Sequence, residues 1–334
     1  MMKQRRVVVG ALALGGALTF VVLYLIVSPH SGELEVEHRT YEVLIDPETK
    51  DPQYMLHRPL TIKIGPDNNI YILDQGNGRI MVYDRNMKFV RQIGRVGQGP
   101  GEFIEPTDFD IDAEGNIYVA EFINRRISVL NPDGSLKKSF WVKRVIPQNW
   151  QLAVNGDRHI YVSTFDDSLI SVFNIDGVEL FRFGSLFQHP EVTATRHYWN
   201  TVFLDTDQND NLWVLYETRP LVRCYTKSGH LIFEKEVNTP AVEQAKKQER
   251  PMPPLRTVLY FHDLSCLNSG RVFISNDNFL YELNMQGDVV KIYSVNYPPH
   301  RENGRYQFVH RIAYDQLRDR FLGTELMAGM VFKF

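Results

Sequence analysis

Two histidines stand at matched places in successive repeats of this chain, as Phe261-His262-Asp263-Leu264 and Val309-His310-Arg311-Ile312. Imidazoles converging on one axis can hold a divalent metal or move protons. Aligning the starts of the strands that carry them gives a ring of Leu60, Thr107, Trp150, Asn200, His262 and His310. A second ring falls at the ends of the strands that follow: Asp74, Glu121, Thr164, Tyr216, Asn276 and Glu325. Carboxylates and amides are the hard oxygen donors that calcium prefers, so zinc or calcium is the metal such rings would take, with Glu325 joining His262 and His310. Against that, an acid followed by a tight turn, as in Leu73-Asp74-Gln75-Gly76-Asn77, ordinarily caps its own turn, and that role is expected of Asp74 and Glu121. Arg196-His197-Tyr198-Trp199 adds aromatic and basic groups beside the channel. With Trp150, Asn200 and Asn276 these make a candidate ligand-binding set. No Gly-x-Ser-x-Gly elbow, His-Glu-x-x-His helix or Cys-x-x-Cys pair occurs.

These residues are spaced by a repeat. Asn69-Ile70-Tyr71, Asn116-Ile117-Tyr118, His159-Ile160-Tyr161, Asn211-Leu212-Trp213, Arg271-Val272-Phe273 and Arg320-Phe321-Leu322 follow one another at 47, 43, 52, 60 and 49 residues. That period, with two-residue alternation between turns, is the mark of four-stranded propeller blades. Six units predict an all-β, six-bladed β-propeller of four-stranded antiparallel blades over 39–334. The sixth unit is one strand short, while Thr40–Ile45 alternates like a strand ahead of the first. The two are expected to pair and close the ring.

The stretch Ile93-Gly94-Arg95-Val96-Gly97-Gln98-Gly99-Pro100-Gly101-Glu102-Phe103, followed by Glu114–Glu121 and Asn124-Arg125-Arg126-Ile127, resembles bacterial NHL-repeat six-bladed propellers. The resemblance is sharp over 57–180 and weaker over 200–334. It implies the fold. Because that family includes scaffolds, ligand binders and enzymes, it leaves activity open. Amidating lyases of this kind carry metal-binding histidines at inner-strand starts, and gluconolactonase-type propellers hold a divalent metal with a central oxygen set. Only two of the six aligned positions are histidine here, so a third ligand would have to come from a loop residue such as His57 or His197.

The N-terminus carries a second message. Residues 1–6 form a basic tail with Lys3, Arg5 and Arg6, and 7–27 is an uncharged apolar run of the length that spans a bilayer as a helix. A transmembrane signal-anchor is expected there, with 28–38 as linker and the propeller on the extracytoplasmic, periplasmic or cell-surface side. A cleaved signal peptide is the rival, disfavoured by the long run and by Ile26-Val27-Ser28-Pro29 at its end. Three of the 37 basic residues lie in this segment, leaving 34 against 40 acidic ones. That balance argues against a polyanion partner, and no nucleic-acid motif is present. Cys224 and Cys266, the only cysteines, sit in strand-like surroundings and read as free thiols.

Every long insertion falls in a blade-to-blade crossing, at 183–199, 236–257 and 296–307, all on the face termed the top. Residues 241–250 form a short helix ahead of Pro251. Gly97, Gly99 and Gly101 lack the Lys-Ser/Thr pair of a phosphate loop and read as a structural crossing. The sequence therefore predicts a binding module that meets a protein, peptide or glycan through its top face and channel. The alternative is a metal-dependent lyase or lactone hydrolase in the channel, with His262 and His310 as ligands or acid–base groups.

Overall fold

Asp112 shows why each repeat turns where it does. Its Oδ1 accepts the backbone N–H groups of Glu114 and Asn116 at 3.0 and 2.9 Å, and its Oδ2 accepts Asn116 Nδ2 and the Tyr118 hydroxyl at 2.8 and 2.9 Å. One carboxylate thus closes the turn and ties it to the next strand, a local side-chain-to-backbone bond of the kind that favours turns. Asp207 repeats the pattern with Asn209, Asn211 and Trp213 Nε1. Asn155 does so with His159 and Tyr161, and Asp67 with Asn69 and Tyr71. The repeating Asn-Ile-Tyr signature is the downstream half of this device. At the outer hairpins a glycine supplies the left-handed residue, as at Gly134 with φ +90°.

The computed structural model describes residues 8–14, 17–23, 34, 36–45, 55–187, 199–247, 259–276, 279–296, 311–325 and 329–334. The chain divides into two units, Met1–Glu35 and Val36–Phe334. In the first, Val8–Leu14 and Ala17–Leu23 pair as antiparallel strands, Val8 opposite Leu23 and Leu14 opposite Ala17. The helix expected over 7–27 is therefore not observed. Gly15-Gly16 lies between two valine-bearing runs, a sequence that suits a hairpin as well as an apolar helix. Among the described residues no helix is long and apolar enough to cross a membrane.

The second unit is six sheets in sequence order. Blade 1 runs Pro59–Ile64, Ile70–Asp74, Arg79–Tyr83, Phe89–Ile93. Blade 2 is Pro106–Ile111, Ile117–Glu121, Arg126–Leu130, Leu136–Trp141, and blade 3 is Leu152–Val154, Ile160–Ser163, Ile170–Phe173, Glu179–Phe183. Blade 4 follows as Val202–Thr206, Leu212–Tyr216, Leu221–Tyr225, Leu231–Glu236, and blade 5 as Asp263–Cys266, Val272–Asn276, Phe279–Leu283, Val289–Asn296. Blade 6 has Arg311–Asp315, Arg320–Glu325 and Met330–Lys333, with Glu42–Ile45 antiparallel to the last of these. Consecutive strands within each blade pair antiparallel. Blade 5 differs from the expected four strands, because Val36–Thr40 adds to its outer edge in parallel, Val36 opposite Ile292. That extra strand covers an edge that would otherwise be open.

Among the described residues the core lies between blades, in six apolar clusters that each join two neighbours. Phe109, Ile117 and Val119 of blade 2 pack on Leu73, Ile80 and Val82 of blade 1, and Leu322 and Val331 of blade 6 on Ile62 and Ile72 of blade 1. Each middle strand is thus apolar on both faces, which is why Ile70–Asp74 and Ile117–Glu121 are buried throughout. Between blades 4 and 5, Pro240–Lys246 forms a short helix capped by Thr239 Oγ1, and its Val242 joins the cluster of those two blades.

Candidate functional site in the propeller channel

The innermost strands line the channel, and the residues that face it are one position later than the aligned ring. Trp150 is wholly buried, but in the apolar cluster between blades 2 and 3, beside Ile127, Val129 and Leu152. Thr107 is spent on the Trp150 carbonyl, at 2.8 Å. The neighbours make the channel contacts instead: Thr61 with Asp108 and Asp263 with Arg311 between adjacent blades, and Gln151 with Arg311 across the channel. In a strand, a slip of one residue turns every side chain to the opposite face.

The remaining ligand candidates divide in the same way. Asn200 is buried and pins the preceding crossing, accepting Phe187 N at 2.8 Å and donating to Phe187 O at 3.1 Å. Asn276 donates Nδ2 to the Tyr260 carbonyl. Both are structural. Trp199 stacks on the Arg219 guanidinium, 4.7 Å from its ring centre, and Phe187 stacks on the same group at 3.9 Å. His197, Tyr198 and His310 lie outside the described residues. His262 is buried at the start of the blade 5 inner strand, and Glu325 is buried at the end of a blade 6 strand. Among the described residues no three His, Cys, Asp or Glu side chains gather as a metal-binding set.

Of the second ring, Asp74 and Glu121 turn into their own blades. Asp74 accepts Arg79 Nε at 2.7 Å, Asn77 Nδ2 at 2.8 Å and the His57 amide at 2.7 Å. Glu121 accepts Arg126 Nε and the Ser128 hydroxyl, both at 2.7 Å, and Asn124 Nδ2 at 2.6 Å. These are fully buried carboxylates, each held by three donors of its own surroundings. The glycine-rich crossing is also structural: Glu102 fills it, taking the Gly99 amide at 2.9 Å and Arg95 at 2.8 Å.

What the aligned rings missed is an axial chain of charges. Lys63 of blade 1 reaches Asp110 Oδ1 of blade 2 at 3.1 Å and Asp205 Oδ1 of blade 4 at 3.3 Å. Asp108 accepts the Thr61 hydroxyl and the Leu152 amide, and Asp263 accepts Arg311 Nη1 at 3.0 Å and the Ile312 amide at 2.8 Å. Several of these carboxylates sew one inner strand to the next: Asp110 takes the Val154 amide and Asp205 the Cys266 amide, each at 2.8 Å. The alternation Thr107-Asp108-Phe109-Asp110-Ile111-Asp112 announces that role, with acids on one face of the strand.

Burial sets the protonation of this chain. It pushes Asp108 up to about 6 against the pull of Arg311 and Lys63, and it raises Asp205 and Asp263 against their cationic partners. For Lys63 burial disfavours the charge, yet the carboxylates of Asp110, Asp205 and Asp108 outweigh it and hold the ammonium's pKa well above the usual lysine value. Towards the opposite end of the channel, Glu217 is raised by burial, with Arg311 and His262 acting against the rise. Its backbone carbonyl accepts the Tyr260 amide, which brings it beside the start of the blade 5 inner strand. No described residue hydrogen-bonds to its carboxylate.

The Lys63 end opens into a cavity of about 600 Å³. Lys63, Asp110 and Asp205 form its charged floor, Arg85, Asp112, Asp207 and Asp210 add charge around it, and Ile64, Ile111 and Leu267 contribute apolar wall. The first-to-second-strand turns, Ala113 and Asn268 among them, make its rim. This is the face opposite the long crossings to which the sequence pointed. Residues 188–198, 248–258 and 297–310, which hold most of those crossings, are outside the described residues.

A family model described as a six-bladed beta-propeller, DUF5128, matches residues 43–139. The chain has the six-bladed propeller fold. Among solved structures it is similar to a streptogramin B lyase, at 12% identity over 88% of this chain and 96% of that one, with a TM-score of 0.57. It is also similar to a catalytically inactive virginiamycin B lyase from Staphylococcus aureus bound to quinupristin, at 13% identity over 82% and 79%, with a TM-score of 0.53. A putative exported protein from Bacteroides fragilis aligns at 14% identity over 86% and 88%, with a TM-score of 0.54. At such identities the likeness is one of fold. No curated protein matches the sequence.

Proposed function

We propose that this propeller is a binding module whose ligand seat is the channel cavity at the Lys63 end. The observation that carries the reading is the cavity itself: a concave space within the usual range for ligand sites, lined by a mixture of charged and polar groups with apolar side chains such as Ile64, Ile111 and Leu267 among them. The proposal extends to location. Lys3, Arg5 and Arg6 ahead of the apolar run 7–27 are the arrangement of an export or envelope-targeting segment, which supports an extracytoplasmic, membrane-associated propeller of NHL-like ancestry. The opposite face, with the Trp199–Arg219–Phe187 stack at the edge of its crossings, is proposed as the surface for a protein, peptide or glycan partner.

The test is a thermal-shift screen of the full chain against neutral sugars, amines, carboxylic acids and divalent cations, run beside Ala113→Trp. Ala113 is exposed on the cavity rim, so the indole fills the space without entering the core. A class that stabilises the parent and not the variant supports the reading. Ligands that stabilise both equally, or no ligand in any class, would remove it. The lyase or lactone-hydrolase alternative rests on His262 beside Glu217 and Arg311, where a carboxyl of raised pKa could exchange protons. It is second because the described residues offer no complete set of acid, base and nucleophile converging there.

A further inference from the structure

The charged floor of the cavity has an unspent hydrogen-bonding pattern. An ammonium carries three N–H donors, and Lys63 gives two of them to Asp110 Oδ1 and Asp205 Oδ1. Its side chain is 24% exposed, against 10% and 11% for the two carboxylates, so the third donor is the accessible one. Each carboxylate has about four acceptor positions. Asp110 uses three, on Lys63, the Ile111 amide and the Val154 amide. Asp205 likewise uses three, on Lys63, the Thr206 amide and the Cys266 amide. Among the described residues, then, the floor has one donor on Lys63 Nζ and one acceptor position on each of Asp110 Oδ2 and Asp205 Oδ2 without a partner.

Charge decides which ligand fits that pattern. An anion would meet the carboxylates of Asp110, Asp112, Asp205, Asp207 and Asp210 against only Lys63 and Arg85. A cation drawn by that lining would still meet, at the floor itself, an ammonium held in place by two ion pairs. A hydroxyl group is neutral and both donates and accepts, and two hydroxyls on adjacent carbons match a donor flanked by acceptors. The C–H faces of a ring bearing them suit the Ile64, Ile111 and Leu267 wall. Resting on the reading of this cavity as the ligand seat, we propose that it takes a small polyhydroxylated ring, a sugar or cyclic polyol, whose neighbouring hydroxyls straddle Lys63 Nζ and the carboxylates of Asp110 and Asp205.

The experiment is calorimetric titration of the full chain with six probes: glucose, galactose and myo-inositol on one side, and 1,4-diaminobutane, succinate and calcium on the other. At least one of the first three should bind, with Kd weakened at least about tenfold in Lys63→Met and binding lost in Ala113→Trp. Ala113 is outside the ion cluster, so the plugged variant decides the matter even if Lys63→Met does not fold. If the diamine, succinate or calcium is the probe lost in Ala113→Trp, and no polyol is, the cavity is a seat but not for hydroxyls and this proposal falls alone. It also falls alone if a polyol is lost in Ala113→Trp yet binds a folded Lys63→Met as tightly as the parent. If no probe distinguishes parent from Ala113→Trp, the proposal and the cavity reading fall together.

Discussion

Replacing Lys63 by methionine keeps an unbranched side chain one atom shorter and removes the ammonium with its charge and donors, which probes the axial ion cluster. At 3.1 and 3.3 Å from the two carboxylates, each contact is worth roughly 5 kcal/mol of gross attraction at an effective dielectric of about 20. Most of that is offset by the cost of taking the ammonium out of water. What the variant exposes is the other side of the balance, two buried carboxylates without their cation. Breaking a buried pair in this way costs about 3–5 kcal/mol, and the partial exposure of Lys63 places the expectation at about 3 kcal/mol near neutral pH. The loss should depend on pH with a definite sign. Asp108 and Asp205 already take up protons more readily in the folded state than in the unfolded chain, and removing Lys63 raises them further. A folded-state pKa raised above the unfolded value means that the cost of the charged form is fully present above the folded pKa. It fades as pH falls towards the ordinary carboxylate value. Urea unfolding at about pH 7.5 and about pH 5 should therefore show a loss of about 3 kcal/mol shrinking to about 1 kcal/mol, with the m-value unchanged. A loss equal at both pH values, or below about 1 kcal/mol at the higher one, would refute the account of the cluster.

Three other perturbations probe the scaffold. Glu121→Gln removes a wholly buried charge that accepts Arg126, Ser128 and Asn124; it should cost about 3 kcal/mol in urea unfolding while leaving cavity ligands bound with unchanged Kd. Tyr118→Phe deletes only the hydroxyl bonded to Asp112 at 2.9 Å, so the expected loss is about 1.5–3 kcal/mol, against a much larger loss for Tyr118→Ala; equal losses would mean that the hydroxyl has no part in the turn. Cys224 is buried and its thiol pushed up to about 12, and burial also raises Cys266 well above the usual thiol value. Neither should react with a disulfide reagent in the native protein near pH 8, and both should react after denaturation.

The repeats were legible because their signature is a local device. An acid or amide, an asparagine and an aromatic at fixed spacing are what one carboxylate needs to hold a turn, as Asp112 does with Asn116 and Tyr118. Asp74 and Glu121 do turn to neighbours a few residues away, but the partners are the side chains of Asn77, Arg79, Asn124 and Arg126, and Asp74 does not make the expected cap bond to the backbone of its own turn. The channel was less legible because it depends on a strand's face rather than its position. Aligning strand starts selected Thr107, Trp150 and His262, whereas Asp108 and Asp263 are the residues joined to the neighbouring inner strands and Gln151 the one joined to Arg311 across the channel. The alternating acids of Thr107–Asp112 carried that signal in plain sight. Contacts such as Lys63 with Asp205, 142 residues apart, carry none, since only closure of the blades around an axis brings them together. The apolar segment 7–27 misled in a different way: hydrophobicity fixes what a segment avoids, while Gly-Gly and valine content bear on whether it is helix or hairpin.

The most direct test of the central claim is a crystal structure of the full chain with the compound that gives the largest thermal shift. Electron density for that compound inside the cavity, within hydrogen-bonding distance of Lys63 Nζ, is the predicted result. Density at the opposite mouth, beside Trp199 and Arg219, with the Lys63 cavity filled only by water, would contradict it.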